Sequence, residues 1–289
     1  MRRWRRWVID CERRSRNESQ GSICIFMENG SNHAFWLSRR LFSDKSFDMK
    51  WLLSFALALT ATFRLFAADA ATNDLLTSAE KKAGWKLLFN GKDFTGWHNF
   101  KARGVQKGWQ VKDGTLACVD PHNAGDIVTT DKFDWFELEL DYKIAVGGNS
   151  GIMFHVTDEG DRPWQTGPEI QLEDNKKAGD PERCGWLYAL YRPPVDPKTN
   201  KPIDATKPAG EWNHLRIVIT PEKCEHIVNG VKYFDYVLGS EDFKARVAKS
   251  KFGEMPLFAK SNIGYLALQG DHGQVSFRNI KLRPINAKK

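Results

Sequence analysis

Between Gly147 and Asn175 the chain reads GGNSGIMFHV, a polar loop, then PEIQLEDN. If the second run is a strand, Glu169, Gln171 and Glu173 share one face, and Ile170 and Leu172 share the other, because side chains alternate along a strand. Two carboxylates flanking an amide cost desolvation energy when they are buried without partners. An antiparallel strand with one solvated face avoids that cost. A sugar-binding groove with carboxylates and an amide along its floor avoids it too, because hydroxyl groups of a ligand satisfy the row.

Other residue types widen the chemistry. His155, Glu169, Asp174, Asp271 and His272 could ligate a metal, but no tight spacing such as H-E-x-x-H occurs. DPHNAGD (120–126) could hold Ca²⁺ through carboxylates and carbonyls, or form a plain turn. His122, His214 and His226 read as surface or hydrogen-bonded residues. Trp109, Trp164, Trp186 and Trp212 could stack on sugar rings. Trp164, in DRPWQTGP, is the best candidate for an exposed aromatic, whereas Trp135 and Trp212 belong with the core or its edge.

These side chains need a scaffold, and the chain supplies strand after strand. WKLLF (85–89), GWQV (108–111), GTLACV (114–119), DIVTT (126–130) and WFELELDYKI (135–144) come first. SGIMFHV (150–156), PEIQLED (168–174) and WLYALY (186–191) follow. HLRIVIT (214–220), CEHIVNG (224–230), VKYFDYVL (231–238), IGYLALQ (263–269) and GQVSFRNIKL (273–282) complete the set. Asn90-Gly91, Asp113-Gly114, Gly147-Gly148, Asn229-Gly230 and Gly270-Asp271 punctuate them as turns. Many short strands with almost no helical period predict a two-sheet sandwich or jelly roll. Glu241–Lys251 is the exception, a predicted helix, and residues 192–210 read as a long Pro- and Lys-rich loop. In 135–144, Phe136, Leu138, Leu140, Tyr142 and Ile144 point one way and Glu137, Glu139, Asp141 and Lys143 the other. The predicted core also includes Ile152, Phe154, Ile170, Leu172, Ile217, Ile219, Leu266, Leu268 and Phe277.

The start of the chain is of another kind. Residues 1–48 are Arg-rich and lack apolar periodicity, as expected of a spurious or disordered leader. From Met49 to Ala70 a short positive region, an apolar run and Ala68-Asp69-Ala70 match a secretory signal peptide. The apolar run is too short for the ~20 residues of a membrane span. An exported, periplasmic or extracellular protein is expected, beginning near Ala71, with no membrane contact in its mature form. Residues 71–84 read as a linker or short helix, and 85–285 as one β domain. The chain carries a formal +7, but residues 1–70 hold 12 Lys and Arg against 7 Asp and Glu. The remainder, at +2, gives no reason to expect a nucleic-acid partner. Of five cysteines only Cys118, Cys184 and Cys224 follow the leader. Their wide spacing speaks against a zinc cluster and allows at most one disulfide, or three buried thiols.

FNGKDFTGW (89–97), GWQVKDGTL (108–116), GGNSGIMF (147–154), PEIQLEDN (168–175), KPAGEWNHLRI (207–217), the NGV of 229–231, LQGDHG (268–273) and VSFRNIKLRP (275–284) occur in order. Together they resemble the 3-keto-disaccharide hydrolase domain family of secreted bacterial proteins, over roughly residues 85–285. The resemblance implies an all-β, concanavalin A/glucanase-like jelly roll of two antiparallel sheets with a concave sugar-binding face. It implies activity on glycosides whose C3 hydroxyl has been oxidised to a ketone, so the partner is a saccharide or oxidised glycoside. It places the Glu169/Gln171 strand, the Asn149-Ser150-Gly151 turn and Gln269–His272, Asp271 included, on the groove; Glu173, from the shared strand face, and Trp164, as an exposed aromatic, are read as further substrate contacts.

A C3 ketone acidifies the C2 proton. A base removes it, the enolate is stabilised, the C1 substituent leaves by β-elimination, and water adds back. His155 or Glu169 could be the base; Gln171, His272 or a divalent cation (Ca²⁺ or a transition metal) could polarise the oxygens. Two alternatives remain. One is a retaining endo-glucanase, whose E-x-D-x-E strand motif EIQLE (169–173) approaches, with Gln171 in place of the Asp. The other is a lectin-like binding module that would use Trp164 and no carboxylate.

Overall fold

The computed structural model describes residues 75–285, so the leader of 1–48 and the signal peptide of 49–70 lie outside the described residues. In chain order the strands are β1 (Lys86–Leu87), β2 (Trp97–Asn99), β3 (Trp109–Lys112), β4 (Thr115–Cys118) and β5 (Ile127–Thr129). Next come β6 (Phe136–Ile144), β7 (Asn149–Val156), β8 (Glu169–Glu173), β9 (Val195–Asp196) and β10 (Lys201–Pro202). The last are β11 (Asn213–Ile219), β12 (Cys224–Val228), β13 (Val231–Tyr236), β14 (Tyr265–Leu268) and β15 (Val275–Pro284). Two helices join them, α1 (Ser78–Lys82) and α2 (Glu241–Lys249).

The strands form the expected antiparallel sandwich. The large sheet runs β13-β12-β11-β6-β15-β4-β3, with β1 also on β15; the small sheet runs β2-β5-β14-β7-β8. Alternation drives this arrangement. On β6 every second residue from Phe136 to Ile144 is buried, and Ile152, Phe154, Ile170, Leu172, Leu266, Leu268 and Phe277 meet them in one core. Cys118, Cys184 and Cys224 are buried free thiols, each pushed up to about 12 by burial.

Three segments depart from expectation. WLYALY is not a strand: Gly185 and Ala189 take positive φ of 82° and 58°, and the segment turns back so that Leu187 bridges both Ile170 and Tyr191. It thereby covers the free edge of β8. The 192–210 loop contains the small hairpin β9–β10. The short strand β2, with no alternating run to announce it, pairs with β5 at the far edge of the small sheet.

The charged face of β6 lies on the outside of the large sheet and is matched by cations. Glu137 is buried and held by Arg216 at 2.5 Å and by Arg283. Glu139 meets Lys281 at 2.9 Å. Asp141 accepts hydrogen bonds from His214 at 2.9 Å and Asn279 at 2.8 Å, with Arg278 at 3.3 Å. Burial opposes ionisation of Asp141, yet these partners hold its carboxyl below the usual range.

Candidate functional site

The small sheet has an outer face too, and it is built differently. Asn149, Gly151 and Met153 of β7 lie opposite Glu173, Gln171 and Glu169 of β8. Their side chains point away from the face carrying Ile152, Ile170 and Leu172. At one end Met153, Val128, Val156 and Ala267 form an apolar patch, covered by Phe100, Trp164 and Tyr265. At the other end lie the polar groups.

Glu169 stands where that polar end meets the apolar patch, opposite Met153. A Cβ on Gly151 would stand 2.1 Å from the Glu169 Oε1 and 2.8 Å from its Cδ. The carboxyl therefore lies over Gly151, in space that only a glycine leaves free. Glu169 is 7% exposed. Burial pushes it up to about 8; Asp126 and Asp180 add to the effect, and Lys251 and His272 oppose it. Its neighbours on the strand are deeper. Gln171 is 1% exposed, and its amide donates to Asn149 Oδ1 at 3.4 Å. Glu173 meets Arg183 at 3.0 Å through one oxygen and leaves the other without a hydrogen bond. Burial pushes it to about 7 despite the guanidinium.

β14 and the loop after it complete the set. Gln269 donates its backbone N–H to the Gly151 carbonyl at 2.9 Å, which fixes it beside the Glu169 carboxyl. Its buried amide oxygen has no hydrogen bond. Asp271 and His272 are exposed and paired through Nδ1. That hydrogen bond raises the imidazole, with burial opposing, and holds the Asp271 carboxyl low. Asp126, at the start of β5, accepts from the Gly270 N–H at 3.1 Å; burial and the Asp271 charge push it to about 6.

Two residues expected at the site face elsewhere. Strict alternation would place His155 with Gly151 and Met153. Instead β7 carries an extra residue opposite β14, where Tyr265 pairs Val156 and Ala267 pairs Met153, and His155 adopts φ 54°. Such a bulge re-aims the side chain. His155 turns into the apolar side, 5.1 Å from the Phe154 ring and 5.7 Å from Trp135, and donates from Nε2 to the Asp134 carbonyl at 2.6 Å. Burial lowers its pKa. It also lines a cavity of about 490 Å³ beneath α2, which contains no carboxylate. His155 is therefore not a base for a substrate on the Glu169 face. Ser150 pairs with Leu172 on the core side, and its hydroxyl donates to the Gln269 carbonyl at 2.9 Å. It ties β7 to β14 and does not reach a ligand.

Trp164 lies on the outer face as expected, but half-buried against the apolar patch. Trp109 is buried and donates to the Gly125 carbonyl. Trp186 is buried, and Trp212 lies under Lys143 and Arg278 on the large sheet. Four residues went unseen in the sequence: Asp126, Lys251, Tyr188 and Arg183. Asp126 entered the sequence reading only as the end of a candidate Ca²⁺ turn and the start of a strand; Tyr188 and Lys251 lay in a predicted strand and at the end of a predicted helix, and Arg183 in a loop, with nothing in their spacing to tie them to β8. Among the described residues no three His, Cys, Asp or Glu side chains converge closely enough to hold a metal ion. The divalent cation considered from the sequence thus finds no ready cage among the described residues.

A family model described as the 3-keto-alpha-glucoside-1,2-lyase-like domain matches residues 84–283. A Bacteroides thetaiotaomicron protein named 3-keto-disaccharide hydrolase is 26% identical over 252 residues, covering 75% of this chain and 84% of its own. A crystal structure from Parabacteroides distasonis, provisionally described as a glycosyl hydrolase, is 35% identical with a TM-score of 0.66, over 74% of this chain and all of its own. A second from the same organism, described likewise, is 29% identical with a TM-score of 0.51, over 70% of this chain and 99% of its own.

Proposed function

The chain belongs to the 3-keto-alpha-glucoside-1,2-lyase-like family of carbohydrate-active, hydrolase-like domains, and on that premise we propose that it cleaves glycosides bearing a ketone at C3. The observation that carries the reading is Glu169. It is a nearly buried carboxyl, free of hydrogen bonds to the described residues, whose titration is raised toward neutrality. A base is most effective when its pKa lies near the working pH.

The Glu169 carboxylate takes the C2 proton. The C2–H electron pair forms the C2=C3 bond, and the carbonyl electrons move onto O3. Collapse of this enolate restores the ketone, forms C1=C2 and breaks the bond from C1 to the glycosidic oxygen. The departing oxygen needs a proton. His272, raised by Asp271 and open to solvent, is the donor. Water then adds its hydroxyl to C1 and a proton to C2, so the net reaction is hydrolysis. Stopping before hydration makes the same site a lyase. Gln171 serves as a positioning residue, its amide donating to Asn149 Oδ1 on the same face.

Ordinary glucanase chemistry fits less well. Glu169 and Glu173 are four residues apart on one strand, about 13 Å along it, whereas retaining hydrolysis uses carboxyls roughly 5–5.5 Å apart. The proposal also includes export, supported by the signal-like residues 49–70; N-terminal sequencing of native protein should begin near Ala71 and not before Met49.

The test is a product assay by NMR on 3-keto glucosides and their unoxidised parents. Turnover of the oxidised set alone is expected. Equal turnover of both would point to a conventional glycosidase, and binding without turnover of either to a lectin-like module.

A further inference from the structure

Glu169 has a cation in reach that no ion pair claims. Lys251 begins the short turn after α2, where Ser250 caps the backbone by accepting from the Phe252 N–H at 3.1 Å. Its anchor is firm, because the Phe252 and Phe258 rings stack 4.0 Å apart beneath it. Its ammonium stands 4.1 Å over the Tyr188 ring and 5.3 Å from the Phe252 ring. Tyr188 is fixed in turn: its hydroxyl donates to Asp180 at 3.0 Å, and its backbone N–H donates to the Glu169 carbonyl at 2.9 Å. The chain therefore holds Lys251 over Tyr188, whose backbone is bonded to Glu169; it is exposed to solvent, and among the described residues no carboxylate approaches it within salt-bridge distance. The other cation near Glu169, His272, is already paired with Asp271.

Resting on the 3-keto reading, we propose that Lys251 is a second catalytic residue, whose ammonium donates a hydrogen bond to O3 as the enolate forms. As Glu169 takes the C2 proton, a full negative charge develops on O3. A fixed ammonium stabilises that charge more than it stabilises the neutral ketone, which is the condition for acceleration. The two cations thus divide the work. The unpaired Lys251 receives the oxyanion, and the Asp271-linked His272 supplies the leaving-group proton. An unoxidised sugar has no carbonyl at C3 and draws nothing from Lys251.

Exchange of the C2 proton isolates this step. The 3-keto derivative of 1,5-anhydroglucitol has no glycosidic oxygen at C1, so it can enolise without releasing an aglycone. Followed by NMR in D₂O, the full-length protein is expected to exchange its C2 proton. Lys251→Met should slow exchange by ~10²–10³ while leaving ligand affinity nearly unchanged. Lys251→Arg should recover part of the rate. The groups facing Glu169 are Lys251, His272, Asp126 and Asp180, and removing Lys251 takes away a charge that favours the carboxylate. The midpoint of exchange against pH should therefore move upward in Lys251→Met, which a merely structural lysine would not cause. Exchange by Lys251→Met at the parental rate, with the parent active, overturns the role of Lys251 alone. So does a slow variant that has lost its parental circular dichroism while Lys251→Arg, folded, is equally slow. Absence of C2 exchange in the parent overturns the 3-keto reading and this inference together.

Discussion

The outer faces of the two sheets carry similar residues and treat them oppositely. On the large sheet Glu137, Glu139 and Asp141 lie in register with cations on the neighbouring strands, because β11 and β15 place Arg216, Arg278, Lys281 and Arg283 beside β6. On the small sheet Glu169 has no such neighbour: Gly151 and Met153 face it from β7. Buried carboxylates need partners, so the first face stores its charges in pairs and the second keeps them short of partners. Structure is served by the first arrangement. The second leaves carboxyls whose proton affinity is raised, and that is the condition for moving protons.

The contrast can be sharpened by titration. Asp126, Glu173 and Glu169 rise to about 6, 7 and 8. Above the unfolded carboxyl pKa the native state then binds more protons than the unfolded state, so stability falls as pH rises. The loss begins above the unfolded value and is complete past the folded one, spanning about pH 5–9 for these three groups. A decline on the order of a few kcal/mol is expected across that window, read as the urea midpoint at each pH. Flat stability from pH 5 to 9 would mean that the small-sheet face is paired after all.

A smaller effect is expected from Gly151→Ala. The added methyl group meets the Glu169 carboxyl, a flexible side-chain end that can swing away. Turnover should fall ~10²-fold, as misplacement of a reacting group by about 1 Å does, with little change in thermal midpoint. Full turnover in Gly151→Ala would place the chemistry elsewhere. Smallest is Trp164→Ala. Losing an aromatic platform worth ~0.5–1.5 kcal/mol weakens sugar binding several-fold, measurable by calorimetry on Glu169→Gln protein. Unchanged affinity would leave Trp164 with a packing role on Met153 and Val128.

The sandwich was legible because period-two patterns are strong in β6, β8 and β11 and turn signals separate the many short apolar runs. The run 186–191 misled because its apolar residues serve a turn that packs on the β8 edge, not a ladder. The Glu169–Gln171–Glu173 row was legible for the same reason as the strands. His155 was not, because one extra residue in β7 reverses every side chain beyond it, and a sequence pattern carries no mark of that bulge. Lys251, Tyr188 and Arg183 reach the site from loops placed by long-range packing, which spacing along the chain does not encode. Ser150 was misplaced because the resemblance set Asn149-Ser150-Gly151 on the groove as a turn; the segment is the start of β7, where alternation turns Ser150 to the core side and its hydroxyl satisfies a backbone carbonyl.

The most direct measurement compares Glu169→Gln with Glu137→Gln in one protein preparation, recording turnover of a 3-keto glucoside and the unfolding free energy. Glu169→Gln is expected to lose ~10²–10⁴ in turnover while keeping or gaining stability, since a raised carboxyl is replaced by a neutral amide. Glu137→Gln is expected to keep turnover and to lose about 1–2 kcal/mol of stability, since a buried charge-assisted pairing is lost while the half-exposed Arg216 and Arg283 remain solvated. The reverse pattern, with Glu169→Gln unstable but active or Glu137→Gln stable but inactive, would contradict the account.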